Sequence, residues 1–352
     1  MMKNIFVSFF LLASLVAFGQ SSVVDDLWKL YQSKDYDQVI DKAVPLLEAD
    51  PLNVNLNLLI GRTYTDQGNF KEAVPYLTCV VKNDSNNSWL KAWALGYLGT
   101  CYFMLQKYQD SKQSLTECIH LNATKNATND AYGKTLLFGF HEFYDHWKIV
   151  ETENFRFYFQ NMSDGDIEKY TSLRENAYKS INGFFKSTLP KKTDFFVWES
   201  REDAVRILKA NLGFARPGFC IVHSHYQQTV GHEMTHVISH YTTDISHKTR
   251  FINEGTAVCF DLTRQDRLTQ VKKWVVANQQ QISIKDCWEN KAKYAEEILY
   301  PLSGLFVKDL IDYFGREKFI EFFENQSYEN AQRIFGDKLN KVIKDFENKI
   351  NT

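Results

Sequence analysis

Gln228-Thr229-Val230-Gly231-His232-Glu233-Met234-Thr235-His236-Val237-Ile238-Ser239-His240-Tyr241 carries two patterns at once. Val230, Met234, Val237, Ile238 and Tyr241 recur at the spacing of an apolar helical stripe, so this helix is expected to be buried along one side. His232 and His236 stand four residues apart on a different face, which places their side chains about 6 Å from each other. A tetrahedral metal ion needs that separation from two of its ligands. Glu233, between them, points into the same space. With 9 His and 20 Glu in 352 residues, chance supplies only about 0.013 copies of such a pentapeptide, so the pattern is read as chemistry.

A third ligand follows in Phe251-Ile252-Asn253-Glu254-Gly255, where Glu254 lies in a second expected helix 18 residues past His236. Two imidazoles and one carboxylate complete the three protein ligands of a catalytic zinc site and leave one position open, so one Zn2+ is the expected cofactor. Glu233 is then placed to act as general base on the activated water and to pass the proton to a leaving amine. Asn253 is expected to orient the edge strand or a ligand carboxylate, or to cap its helix. His240 lies four residues past His236, whereas the three-histidine arrangement HExxHxxGxxH requires a Gly turn and a His six residues on. Val237 to Tyr241 has neither, so His240 falls outside the ligand set.

Aromatic-rich segments Phe155–Phe159 and Asp194–Trp198 read as strands, as does Phe219–His223 just ahead of the metal helix, while Asp166–Lys186 and Arg201–Ala210 read as helices. An edge strand beside the metal helix would hold an extended peptide by strand addition, with His223 and His225 as candidate substrate contacts.

Residues 23–125 follow a different rule. Ile60-Gly61-Arg62-Thr63-Tyr64 through Gly68-Asn69-Phe70-Lys71-Glu72-Ala73 returns 38 residues later as Leu98-Gly99-Thr100-Cys101-Tyr102 through Lys107-Tyr108-Gln109-Asp110-Ser111. It is anticipated 34 residues earlier by Asp35-Tyr36-Asp37-Gln38-Val39 through Asp50-Pro51. Such a period marks paired-helix solenoid units: Gly61 and Gly99 let helices approach, Tyr64, Tyr102, Phe70 and Tyr108 fill between them, and Pro51 closes a unit. Asn122–Asn129 reads as the loop ending the array, and Ala131–Trp147, within a linker at 126–147, as a capping helix.

Residues 1–19 read as a cleavable export signal, with Lys3 ahead of a 14-residue apolar run from Ile5 to Phe18 and cleavage before Gln20. No Cys near that point indicates a lipid anchor. The mature chain is expected to be secreted or periplasmic, with no membrane span. A formal charge of −2 without a basic cluster argues against nucleic acid as a partner. The six cysteines form no CxxC pair, and their pairing is not fixed by spacing.

On these motifs residues 148–352 resemble a gluzincin metallopeptidase, in particular the peptidase-MA-like group, and residues 23–125 resemble about three tetratricopeptide repeats. The resemblance implies an α+β fold, an all-α tetratricopeptide-type solenoid followed by a mixed α+β metallopeptidase domain, with His232, His236 and Glu254 as zinc ligands and Glu233 as base. Tyr300-Pro301-Leu302-Ser303-Gly304 running to Gly315 is similar to the aminopeptidase-type pattern whose Tyr donates to the oxyanion, a role this carries to Tyr300, with Tyr294 as substitute. No Gly-x-Met-Glu-Asn segment for capturing a substrate amino terminus is present. The expected activity is hydrolysis of peptide bonds in a peptide or protein substrate, with the repeats recruiting substrate or a protein partner. The same residues also fit an inactive, metal-stabilised interaction scaffold, or hydrolysis of another amide.

Overall fold

The computed structural model describes residues 23–263, 265–292 and 294–351; the expected export signal lies outside them. The chain divides into two compact units between Asp145 and His146.

The first unit is helical: a segment over 23–32 (α1), then α2 (Tyr36–Ala49), α3 (Val54–Asp66), α4 (Phe70–Asn83), α5 (Trp89–Met104), α6 (Tyr108–Leu121) and α7 (Lys125–Leu137). From α2 on, each helix packs on the next; α3 also reaches α5, and α5 reaches α7. The spacing of the two central pairs repeats. A Cβ on Gly61 would lie 2.7 Å from the Leu77 side chain, and one on Gly99 would lie 2.5 Å from Leu115, so both pairs approach as only glycine permits. Arg62 ties three odd-numbered helices together, its guanidinium 4.9–5.6 Å from the rings of Trp28, Tyr31, Trp93 and Tyr97.

The segment read as a loop at Asn122–Asn129 is mostly helix. Thr124 caps α7 by accepting from the Ala127 amide at 3.3 Å, and Ala127 and Ala131 are buried. The helix stops at Leu137 because Gly139 takes φ +74°, and the rest of the expected capping helix is turn and a short 3-10 segment, Glu142–Tyr144.

The second unit is built on one five-stranded mixed sheet, ordered β1 (Lys148–Glu151), β2 (Phe155–Phe159), β3 (Thr193–Trp198), β5 (Ile221–His225), β4 (Phe214–Arg216). β2, β3 and β5 are parallel; β1 and β4 run antiparallel at the two edges. On one face Phe155, Phe157, Phe159, Phe195 and Val222 pack with Tyr170, Ala177, Ile181 and Phe185 of α8 (Asp164–Phe185) and with Met234, Val237 and Ile238 of α10 (His232–His240). On the other face a stack of rings follows the register: Tyr158 on Phe196 at 4.3 Å, Phe196 on His223 at 4.3 Å, His223 on Phe214 at 5.1 Å. Each such cross-strand pair contributes on the order of 0.2–1 kcal/mol.

The strand expected at Phe219–His223 begins at Ile221 instead. Pro217–Phe219 is a 3-10 turn, and Cys220 is held at φ +50°, which no strand residue adopts. α9 spans Arg201–Leu208. The remainder is helical: α11 (Arg250–Phe260), α12 (Arg267–Asn278), α13 (Ile284–Trp288), α14 (Glu296–Phe314), α15 (Arg316–Phe323), α16 (Tyr328–Phe335) and α17 (Lys338–Asn351), around a core containing Phe251, Trp288, Phe306 and Phe322. All six cysteines are free thiols. Among the described residues no helix is long and apolar enough to cross a membrane.

Candidate metal centre

Burial of Met234, Val237 and Ile238 against the sheet fixes which way α10 faces. It leaves His232, Glu233 and His236 along the wall of a cleft of about 780 Å³. α11 packs across α10, its first turn capped by Thr249, and brings Glu254 to the two imidazoles. Glu254 Oε2 lies 3.4 Å from His232 Nε2 and 3.5 Å from His236 Nε2, and the three ligand atoms fall within 4.8 Å of one another. The two rings stand nearly perpendicular, at 84°, with centroids 5.1 Å apart.

The Glu254 carboxylate is positioned by helix packing. α11 and α14 touch closely: a Cβ on Gly255 would lie 2.7 Å from the Ser303 carbonyl oxygen, and one on Gly304 would lie 2.4 Å from Val258 Cγ1. Gly255 adjoins Glu254 and Gly304 follows Tyr300 by about one turn, so the same contact that seats the ligand also seats the tyrosine.

Charge at the cluster is strongly coupled. Burial raises the Glu254 carboxyl, but hydrogen bonds and charge from His232 and His236 outweigh it, leaving the group well below its ordinary value. Burial lowers His232, yet Glu254 and Glu233 reverse this and hold it above the usual histidine value. Glu233 is raised, first by burial and then by Glu254, against the pull of the two imidazoles.

Two imidazole nitrogens and a carboxylate oxygen, converging on one point and open to a cleft, fit a borderline cation of the zinc type with a coordination position to spare. Asn253 is not a helix cap, since it sits within the first turn of α11. Its side-chain amide lies 3.3 Å from His236 Nδ1, on the far side of that ring from Glu254.

Tyr300 lines the cleft, its ring stacked near His232 with centroids 6.0 Å apart. Burial, reinforced by Glu254, pushes its phenol above the ordinary value, against the pull of the Arg250 guanidinium hydrogen-bonded to it. It does not open its helix, because α14 starts one turn earlier at Glu296. Tyr294 packs edge-on against Trp274 at 5.5 Å and is not part of the cleft wall.

The histidines flanking the expected strand are structural. His223 is fully buried in the ring stack and accepts from Trp198 Nε1 at 3.1 Å. His225 Nε2 is 2.9 Å from the Glu199 carbonyl oxygen. His240 ends α10 away from the cleft wall, its pKa lowered by burial and then by Lys248.

The edge strand escaped the sequence reading. It is β4, whose Phe214 and Ala215 line the cleft with Leu212, Gly213 and Pro217. At three residues it is too short for alternation to show, although Gly213 and Pro217 mark its ends. Asp261 and Arg267, ion-paired to each other, also line the cleft and carried no motif. No protein family's sequence profile matches the chain, and no curated protein matches it, so the site is read from its own geometry.

Proposed function

We propose that this chain is an exported zinc metallopeptidase of the gluzincin type, with an N-terminal tetratricopeptide-type array that recruits substrate or a protein partner. The observation that carries the reading is the convergence of His232, His236 and Glu254 in a cleft also lined by Glu233, Tyr300 and the edge strand β4. The equal spacing of the Gly61–Leu77 and Gly99–Leu115 contacts supports the repeat assignment.

Zinc held by His232, His236 and Glu254 supplies the Lewis acid that polarises a carbonyl and makes water more acidic. The protein's own groups do the rest. β4 offers an extended peptide a strand to pair with. A Glu233 carboxylate oxygen accepts a proton from the attacking water and delivers it to the leaving amine nitrogen. Tyr300 Oη–H donates to the carbonyl oxygen as negative charge builds there.

The test pairs elemental analysis with cleavage of casein and a peptide library. Wild type is expected to carry one zinc per chain and to cleave. Glu233→Gln should keep the metal and lose about 10²–10⁴ in rate, and Glu254→Ala should lose stoichiometric zinc. A Glu233→Gln enzyme as fast as wild type would overturn the mechanism, and zinc without any wild-type cleavage would mark a metal-stabilised scaffold.

A further inference from the structure

Arg174, on α8, is 3% exposed, and among the described residues it forms no ion pair. Among those residues its guanidinium donates from Nη1 to the Tyr170 carbonyl oxygen over a long 3.5 Å, and it lies over the Tyr170 ring, 3.1 Å from the centroid. The hydroxyl of that tyrosine is buried and makes no well-formed hydrogen bond, with the side chains of Arg174 and Ser224 close to it. Burial pulls the guanidinium down to about 10, which still leaves it charged at neutral pH. Ring faces compensate a buried cation only in part, and a buried hydroxyl without a well-formed hydrogen bond is costly as well, so a fold that keeps both side by side invites an anion.

Both groups line one cavity of about 580 Å³. Its wall takes in Asn161, Glu199 and Tyr226, which follow the carboxyl ends of the parallel strands β2, β3 and β5, the end at which open parallel sheets bind ligands. Glu199 and Asp166 also border it, but Glu199 accepts from Asn161 Nδ2 at 3.0 Å and Asp166 from Ser163 Oγ at 2.6 Å; neither reaches the guanidinium. Gln228 lines this cavity and the metal cleft alike, as a wall common to the two.

We propose that the Arg174–Tyr170 cavity is a second binding site, selective for a carboxylate. The carboxylate belongs either to a free organic acid or to the end of a peptide reaching past Gln228 from the cleft. Arg174 supplies the charge and a planar fork of N–H donors, and the Tyr170 hydroxyl supplies a further donor. The site needs no metal, so it stands whether or not the cleft hydrolyses peptides.

The test is calorimetric titration of the full-length protein, with and without zinc, using succinate and two hexapeptides identical except for a free or amidated carboxyl terminus. Wild type is expected to bind succinate, the free-acid peptide or both, equally well with and without zinc, and to ignore the amide. Binding of succinate assigns the site to a free acid; binding of the peptide alone assigns it to a chain terminus. Tyr170→Phe should weaken binding about tenfold, as expected for one hydrogen bond to a charged group, and Arg174→Gln should abolish it. Arg174→Gln should also melt no lower than wild type in the absence of ligand, whereas an arginine serving only structure would lower the melting temperature when removed. If Arg174→Gln fails to fold, Tyr170→Phe still decides. No binding of either carboxylate by wild type, or unchanged binding in a folded variant, would overturn the proposal.

Discussion

Asn253 and His236 meet on the ring edge opposite the nitrogen that faces Glu254: Asn253 Nδ2 lies 3.3 Å from His236 Nδ1, while His236 Nε2 is 3.5 Å from Glu254 Oε2. With the amide turned so that Oδ1 accepts from Nδ1–H, the ring is fixed in the tautomer whose Nε2 lone pair is free for a cation. Because Asn253 and Glu254 are successive residues of α11, one helix would supply both a ligand and the group that orients another ligand. Asn253→Ala is therefore expected to weaken zinc binding by about 10–100-fold with the fold intact. Competition with a chromogenic chelator measures this, and an affinity equal to wild type would remove Asn253 from the site.

Tyr300 and Tyr294 give opposite expectations. Tyr300 stands beside His232 in the cleft, whereas Tyr294 packs against Trp274 outside it. Loss of a hydrogen bond made to a developing oxyanion costs about 10²–10³ in kcat, with little change in ground-state binding. Tyr300→Phe should show that loss while retaining its zinc, and Tyr294→Phe should turn over like wild type. Steady-state kinetics on one cleaved peptide separates the two, and a Tyr300→Phe enzyme with normal kcat would assign the tyrosine to packing.

What the sequence made legible was whatever depends on short-range spacing. The placement of His232, Glu233 and His236 on one side of α10 follows from helical geometry, and Glu254 followed from the ligand count; the strands at Phe155 and Asp194 declared themselves by their aromatic content. Features set by tertiary contact were hidden. β4 is pinned by its pairing with β5, His223 is held by rings on neighbouring strands, and α7 forms because Thr124 caps it and its alanines are buried, against the low helical preference of its Asn and Thr. Arg174 drew no reading of its own, because nothing in its neighbours along the chain tells of its burial.

The α11–α14 contact yields an expectation about a residue with no chemistry of its own. A methyl group on Gly255 would meet the Ser303 carbonyl carbon at 2.8 Å and its oxygen at 2.7 Å, and backbone cannot swing aside as a flexible side chain can. The two helices must separate, at about 1–3 kcal/mol for an overpacked interior. Since Glu254 precedes Gly255, the shift should also reach the ligand set. Gly255→Ala is expected to lower both stability, by denaturant titration, and zinc affinity, whereas Gly183→Ala, where no atom lies within 4 Å of the added carbon, should leave zinc affinity unchanged. Equal zinc affinity in the two variants would break the link between helix contact and site.

A last expectation concerns the sheet that carries the metal helix. Lys191 and Asp194 are ion-paired at the start of β3 with both side chains fully buried, and Asp194 also accepts from Tyr158 Oη at 2.8 Å. Their mutual attraction offsets part of the large cost of taking two charges out of water, so removing one partner takes that offset away from the other. Lys191→Met is expected to cost about 3–5 kcal/mol of stability. The double variant Lys191→Met/Asp194→Leu removes the buried carboxylate as well and should recover part of that loss, less the hydrogen bond from Tyr158. Chemical denaturation of the four proteins of this cycle gives the coupling directly. Additive losses, with the double variant less stable than either single one, would show that the pair is not held together by charge and that Asp194 serves β3 through its hydrogen bonds alone.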